Sequence, residues 1–351
     1  MGAGTARTQG VGQGRKERGN MTIAVIVVVV LVSASVFVNG WTDAPNAIAT
    51  VVSTRVLRPR VAVMMAAAFN LLGVMVSGTA VAATVQGIVS LDTPGKEGLI
   101  TLAAAQFSIV LWSTVAWKFG LPTSESHGLI AGLTGAGLAQ VGWSTFTTTS
   151  WGKVLIGLAI SSVAGFVVAV GTTWLIIFIF RRVKRGNANK FFSIGQIVSA
   201  ALMSYNHGAQ DGQKFLGIFT LALGLGGVIA VGTPIPWWAK LCVSGVMCLG
   251  TSLGGYRIIS KMGMEMVKLE KYQGFSAELG ASVLMIVATH FGIPLSTTQT
   301  KATAIMGAGA SRRLSNVNWG VVREMFTAWI LTFPICITIG YVMTKLFTFL
   351  F

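Results

Sequence analysis

Pro122-Thr123-Ser124-Glu125-Ser126-His127 and Pro294-Leu295-Ser296-Thr297-Thr298-Gln299 are two versions of one six-residue phrase, set 172 residues apart. Upstream of each lies a second pair, Gly40-Trp41-Thr42-Asp43 and Gly208-Ala209-Gln210-Asp211, offset by 168. Downstream come Gly135-Ala136-Gly137 and Gly307-Ala308-Gly309, then Trp151-Gly152 and Trp319-Gly320, at offsets of 172 and 168. Matches in the same order at nearly one offset identify an internal repeat. The chain reads as two homologous halves, roughly 21–185 and 190–351, preceded by a Gly-rich basic tail, 1–20, that is expected to be disordered. Met21 could equally be the initiating residue.

Composition supplies the solvent. Of 351 residues, 53% are hydrophobic and 10% charged, against about 25% charged in an ordinary soluble domain. Mean hydropathy is +0.72. Such a chain cannot wet its own surface, and it repeats apolar runs of the roughly 20 residues that span a bilayer. The fold expected is an all-α polytopic membrane protein embedded in a lipid bilayer. Forty-three glycines suit closely packed membrane helices. Cys242, Cys248 and Cys336 sit in apolar runs without ligand spacing and read as small buried hydrophobes.

Each half divides into five helical elements: 21–54, 60–86, 99–118, 120–140 and 152–181, then 191–226, 236–259, 275–291, 293–310 and 320–348. The net charge of +16 would suit nucleic acid, but the basic residues lie in short connections between spans, as the positive-inside rule requires; nucleic-acid binding is not expected. Arg55/Arg58/Arg60, Lys118, Arg181–Lys190, Arg257–Lys271 and Arg312/Arg313 fall on one side, and the basic-poor connections 87–98, 141–150 and 227–235 on the other. With one crossing per element, both termini are expected outside and the Arg/Lys-rich loops in the cytoplasm. Five crossings per half invert the second half relative to the first. Inverted repeats with interrupted helices mark secondary transporters, with the site at the interruptions near the midplane. The elements at 120–140 and 293–310, each after a Gly-x-Pro break, read equally as spans or as re-entrant hairpins.

Few acids fall within the apolar segments: Asp43, Glu125, Asp211, Glu278 and Glu324. An ionisable group at membrane depth is a functional hypothesis by default, and the first three lie in the repeated motifs; a buried carboxylate bracing a broken helix is the plainer alternative. Glu278 could border the site, and Glu324 reads as a helix-end charge. The second motif brings hydroxyls (Ser124, Ser126, Ser296, Thr297, Thr298) to helix starts, where free N–H groups and the positive dipole end suit an oxyanion, although ordinary N-capping would use the same residues. Carboxylates beside an anion repel it unless a cation or a proton intervenes, and that dependence is the thermodynamic core of symport. A protonated phosphate oxygen can donate to a carboxylate, which sulfate at neutral pH cannot do. His127 could donate to the anion or relay protons, and Lys214 is either a counter-charge to Asp211 or a substrate contact.

At these motifs the chain resembles the inorganic phosphate transporter (PiT) family, which duplicates a Gly-x-Asn-Asp signature and a Pro-x-Ser-Thr-Thr-His segment. The resemblance runs from Met21 almost to the end. It implies phosphate moved with Na⁺ or H⁺ and no other cofactor. Carried over to this chain, it implies that Asp43 and Asp211 serve cation coupling and substrate; Glu125, Asn46, Thr42 and Gln210, beside them in the sequence, are further candidates for cation coupling. Asp43 and Asp211 would hold the ion if that ion is Na⁺. Ser124, Ser126, Ser296, Thr297 and Thr298 would surround the anion, and Gln299 and His127 at the end of each motif are candidates for the same pocket. Thr42 and Gln210 replace the signature Asn, Glu125 stands where the motif has Thr, and Gln299 where it has His. A sulfate symporter of the same architecture is therefore the alternative. An enzyme is disfavoured because His127, His207 and His290 lack ligand spacing, and a passive channel would show no uphill uptake. A cell plasma membrane is the expected location, and homo-oligomerisation is left open.

Overall fold

The computed structural model describes residues 4–89, 95–230 and 232–350, and among them the regular elements are all helical. The first half holds α1 (Gly4–Thr42), α2 (Ala44–Ser53), α3 (Pro59–Val76), α4 (Ala80–Gln86), α5 (Lys96–Lys118), α6 (Glu125–Gln140) and α7 (Thr148–Phe180). The second holds α8 (Arg185–His207), a π-helical turn Gly208–Gly212, α9 (Gln213–Leu225), α10 (Trp237–Ser252), α11 (Tyr256–Ser260), a π-helical turn Lys261–Glu265, α12 (Lys271–His290), α13 (Thr297–Ala310) and α14 (Trp319–Leu350). Among the described residues, five helical segments are long and apolar enough to cross a membrane, Met21–Ser53, α3, α5, α7 and α14; α10 and the segment Tyr256–Glu265, bent by 66°, would be a sixth if the bent pair is one span. The expectation of a disordered tail at 1–20 differs from this structure, in which α1 runs back to Gly4. Once Met21–Thr42 has paid for nucleation, each added turn only propagates the helix. Residues 1–3 lie outside the described residues.

The helices are packed inside out relative to a soluble protein. α7 buries Ser161, Gly165, Ala169 and Thr173 and exposes Val163, Val167, Trp174, Leu175 and Phe178. Small residues let backbones approach, while bulky apolar ones face hydrocarbon.

The breaks expected from Gly and Pro are present, and each has a stated cause. α5 and α12 end in the same motif. Gly120 and Gly292 adopt φ of 68° and 65°. Leu121 N–H bonds Ala116 O at 3.0 Å and Ile293 N–H bonds Ala288 O at 2.9 Å, the outer bond of a Schellman turn. Pro122 and Pro294 then keep the chain extended before α6 and α13 begin. The first motif is broken differently in the two halves. Pro45, at the start of α2, removes the N–H that would continue α1, whereas in the second half the helix stays continuous and bulges through the π turn at Gly208–Gly212.

The packings recur in symmetry-related form. α6 lies on α14 and α13 lies on α7, so the short helix of each half rests on the last helix of the other. α1 packs on α10 as α8 packs on α3, and α1 on α5 as α8 on α12. Two isolated bridges, Val89 with Phe146 and Val267 with Val317, join connections that charge placed on common sides. On the basic side, Arg257 Nη1 donates to Lys118 O at 2.9 Å and Trp174 Nε1 to Ser311 O at 3.1 Å.

The α13–α7 contact depends on Gly307, whose Cβ, if it had one, would strike the Phe166 carbonyl; Gly135 stands likewise against Ile337 on α14. Gly307→Val is expected to cost about 1 to 3 kcal/mol, the range for overpacking a close contact. Thermal unfolding in detergent, measured against Gly171→Val, where no neighbour lies within 4 Å, checks it.

Candidate functional site

The extended segments after Pro122 and Pro294 bring the N-termini of α6 and α13 together. Ser124 Oγ and Ser296 Oγ are 2.8 Å apart and buried. Each serine caps its own helix: Ser124 Oγ accepts from His127 N–H at 3.3 Å and Ser296 Oγ from Gln299 N–H at 3.1 Å. The capping expected as the plain alternative is thus real, but it takes only one N–H per helix. The remaining first-turn N–H groups and both positive dipole ends converge on one buried point. Ser296 N–H is held by Ser161 Oγ of α7 at 2.8 Å, and Trp329 Nε1 of α14 donates to Pro122 O at 3.1 Å. The final helix of each half therefore braces the other half's break.

The broken helices bring the acids to the same place. Asp211 is surrounded: Lys214 Nζ donates to its Oδ1 at 2.6 Å, and its Oδ2 accepts from Thr297 Oγ1 at 2.8 Å and Asn39 Nδ2 at 3.2 Å. Asp43 keeps a buried Oδ2 with no partner. Glu125 Oε1 lies 3.1 Å from Thr42 Oγ1, while its Oε2 has no partner. Asn46 Nδ2 donates to Thr298 Oγ1 at 2.9 Å and leaves its Oδ1 unpaired, as is Asn39 Oδ1. Unpaired buried polar atoms are rare in native structures and call for a ligand, an ion or water. Here all four are oxygen acceptors, the donor type that hard cations take. One ligand atom each from Asp43, His207 and Asp211 lie within 4.8 Å of one another.

His207 has a defined hydrogen-bond direction. Thr251 Oγ1 donates to Met247 O, so it accepts from Asn70 Nδ2 at 3.0 Å; Asn70 Oδ1 then accepts from His207 Nδ1 at 3.1 Å. Nε2 is turned to Asp211 Oδ2 at 3.3 Å.

Of the residues expected from sequence, Asp43, Asp211, Glu125, Asn46 and Thr42 meet here with Ser124, Ser126, Ser296, Thr297 and Thr298, all buried. Gln210 points elsewhere. Its Nε2 donates to Thr289 Oγ1 at 2.9 Å and to Ile293 O, and its Oε1 accepts from Leu295 N–H at 3.3 Å, so it pins the extended segment before α13. The ring of His127 packs on Phe333 with centroids 4.9 Å apart. Gln299 contributes its backbone N–H to the Ser296 cap, and its Oε1 is unpaired. Asn39 and His207, which are not among the site residues expected from sequence, also stand 168 apart, four residues before each aspartate. Glu278 forms a separate buried pair with Lys301 at 3.5 Å, with Ser199 Oγ donating at 2.6 Å and Thr50 beside it. Glu324 pairs at the surface with Lys261.

Two helix starts that meet at buried serines, with buried carboxylates beside them in a bundle of apolar helices, are the arrangement of a membrane transporter. Comparison with known proteins gives the family. The chain matches the phosphate transporter family over residues 39–188 and 180–340. It is 35% identical over 320 residues to a probable low-affinity inorganic phosphate transporter of Bacillus subtilis, covering 91% of this chain and 96% of that protein. It is 39% identical over 317 residues to a probable low-affinity inorganic phosphate transporter of Rhizobium meliloti, covering 89% and 94%. A solved structure described as the sodium-dependent phosphate transporter superposes with a TM-score of 0.84 at 20% identity, over 94% of this chain and 100% of that one, and shares the fold. The chain belongs to the phosphate transporter family, and it is a transporter, not an enzyme.

Proposed function

We propose that the protein carries inorganic phosphate into the cell by symport with a cation, Na⁺ or H⁺, across the plasma membrane. The observation that carries this reading is that two capped helix N-termini meet, buried, at Ser124 and Ser296 while Asp43 and Glu125 beside them present unpaired oxygens. The helix starts and hydroxyls would take the phosphate. Asp43 Oδ2, Asn39 Oδ1 and Asn46 Oδ1 would take the cation, an oxygen set that suits Na⁺. Without the cation, the carboxylates repel the anion; with it, they do not, so each ligand strengthens the other. Family membership and the proton that phosphate retains at neutral pH support phosphate over sulfate. The descriptions of the relatives and of the sodium-dependent structural neighbour support the same substrate and ion. The two halves act as repeats of opposite orientation, with the Arg/Lys-rich connections in the cytosol and the site at the repeat interface.

The test is ³²P-phosphate uptake into proteoliposomes under an inward Na⁺ gradient, then an inward H⁺ gradient, with excess sulfate present. Accumulation under one gradient that sulfate does not suppress is the expected result and names the ion. Equilibration without accumulation under either would replace symport with passive conduction, and suppression by sulfate would replace the substrate.

A further inference from the structure

The two halves place different groups at one repeated position. Three residues after each aspartate stands Asn46 in the first half and Lys214 in the second, again 168 apart. Each reaches across to the second residue of the opposite half's short helix. Asn46 Nδ2 donates to Thr298 Oγ1 at 2.9 Å, and Lys214 Nζ donates to Ser126 Oγ at 2.6 Å. Ser126 and Thr298 are themselves repeat partners, so the two contacts are one interaction seen twice.

What differs is the charge and what it leaves behind. Lys214 Nζ is enclosed by three oxygens: Asp211 Oδ1 at 2.6 Å, Ser126 Oγ at 2.6 Å and Leu295 O at 2.5 Å. A carboxylate, a hydroxyl and a carbonyl are also the oxygen types that a small monovalent cation would take. In the first half the aspartate has no lysine, and Asp43 Oδ2, Asn39 Oδ1 and Asn46 Oδ1 are buried without partners. The repeat thus holds one aspartate already neutralised by the chain and one that is not.

We propose that Lys214 is a tethered cation, occupying in the second half the place that a co-transported cation takes in the first, so that this pair of aspartates recruits one ion with each phosphate instead of two. The proposal rests on the symport reading above. A bound ion leaves with its cargo and brings its gradient to bear; an ammonium on a side chain does not. Lys214 therefore lightens the repulsion that phosphate meets without adding to the driving force.

The number of cations bound with phosphate is read from the slope of log Kd for phosphate against log cation activity, measured on purified protein with Na⁺ and, separately, with H⁺. For the wild type a tenfold rise in the coupling ion is expected to tighten phosphate about tenfold, a slope of one. For Lys214→Asn, which copies the first half, the same rise is expected to tighten it about a hundredfold. Lys214→Arg, which keeps the charge, and the double variant Asp211→Asn with Lys214→Asn, which removes both charges, are expected to return the slope to one. A wild-type slope of two or more overturns the proposal whether or not any variant folds. So does a Lys214→Asn protein that binds phosphate more weakly with an unchanged slope, because Lys214 would then be a phosphate ligand. A wild type whose phosphate affinity responds to neither ion would overturn the symport reading itself, which distinguishes the two failures.

Discussion

Asp43→Asn is expected to abolish gradient-driven phosphate accumulation while the protein still inserts and folds. The side chain is 2% exposed, makes no capping bond to α2, and keeps its Oδ2 unpaired. The amide is nearly the same shape, and Pro45 breaks the helix whatever stands at position 43, so the local structure has little reason to change. What is lost is the negative charge that, on the proposed symport reading, draws the cation to a site shared with Glu125 and Asp211. If the coupling between cation and phosphate lies at the upper end of the usual 1 to 3 kcal/mol, accumulation falls by about 100-fold. Uptake of ³²P-phosphate under the gradient that drives the wild type measures this, with size-exclusion behaviour as the folding control. Wild-type rates would remove Asp43 from the site. Asp211→Asn is a different experiment, since it strips Lys214 of its partner and weakens the anchors of Thr297 and Asn39, so it lowers stability together with transport.

The second large effect lies outside the pocket. Lys301 on α13 and Glu278 on α12 are wholly buried 3.5 Å apart, and the repeat-equivalent positions hold Leu129 and Gln106. Removing one partner leaves a charge without compensation in a medium that cannot solvate it. Lys301→Met is therefore expected to destabilise the protein by about 3 to 5 kcal/mol. Adding Glu278→Gln to the same protein is expected to recover most of that loss, because a neutral glutamine can keep the contacts with Ser199 and Thr50. Melting temperature in detergent for the single and double variants checks both statements. A single variant as stable as wild type would mean that water or lipid headgroups reach this pair.

Much of this architecture could be read from the chain, because its signals are local or repeated. Gly120, Pro122, Gly292 and Pro294 announce their turns through backbone chemistry that needs no tertiary partner. Charge sorted the connections into two sides, and the bridges Val89–Phe146 and Val267–Val317 join connections sorted together. The site was legible where a residue type is costly at membrane depth, as for Asp43, Glu125 and Asp211. It was illegible where an unremarkable polar residue acquires its role from something distant. Asn46 is a candidate from sequence, but its contact with Thr298 across 252 residues of chain follows from no spacing rule. Gln210 sits in the motif yet turns away to hold residues 293–295, since a helix position does not say which of its neighbours a side chain will choose. Asn39 and His207 stand one residue before the repeated Gly-x-x-Asp motif, so the repeat itself pairs them.

The exchange of short helices between halves has a consequence for how the protein is made. α6 is complete at Gln140, but its partner α14 begins only at Trp319. At the roughly 5 to 20 residues per second of synthesis, that is a delay of about 10 to 40 s. Throughout it, α6 shows the membrane a glycine-rich flank that is shaped for another helix and offers lipid little to hold. The first half enters the bilayer as an unfinished object, and the buried site at Ser124 is closed only when the last helix arrives.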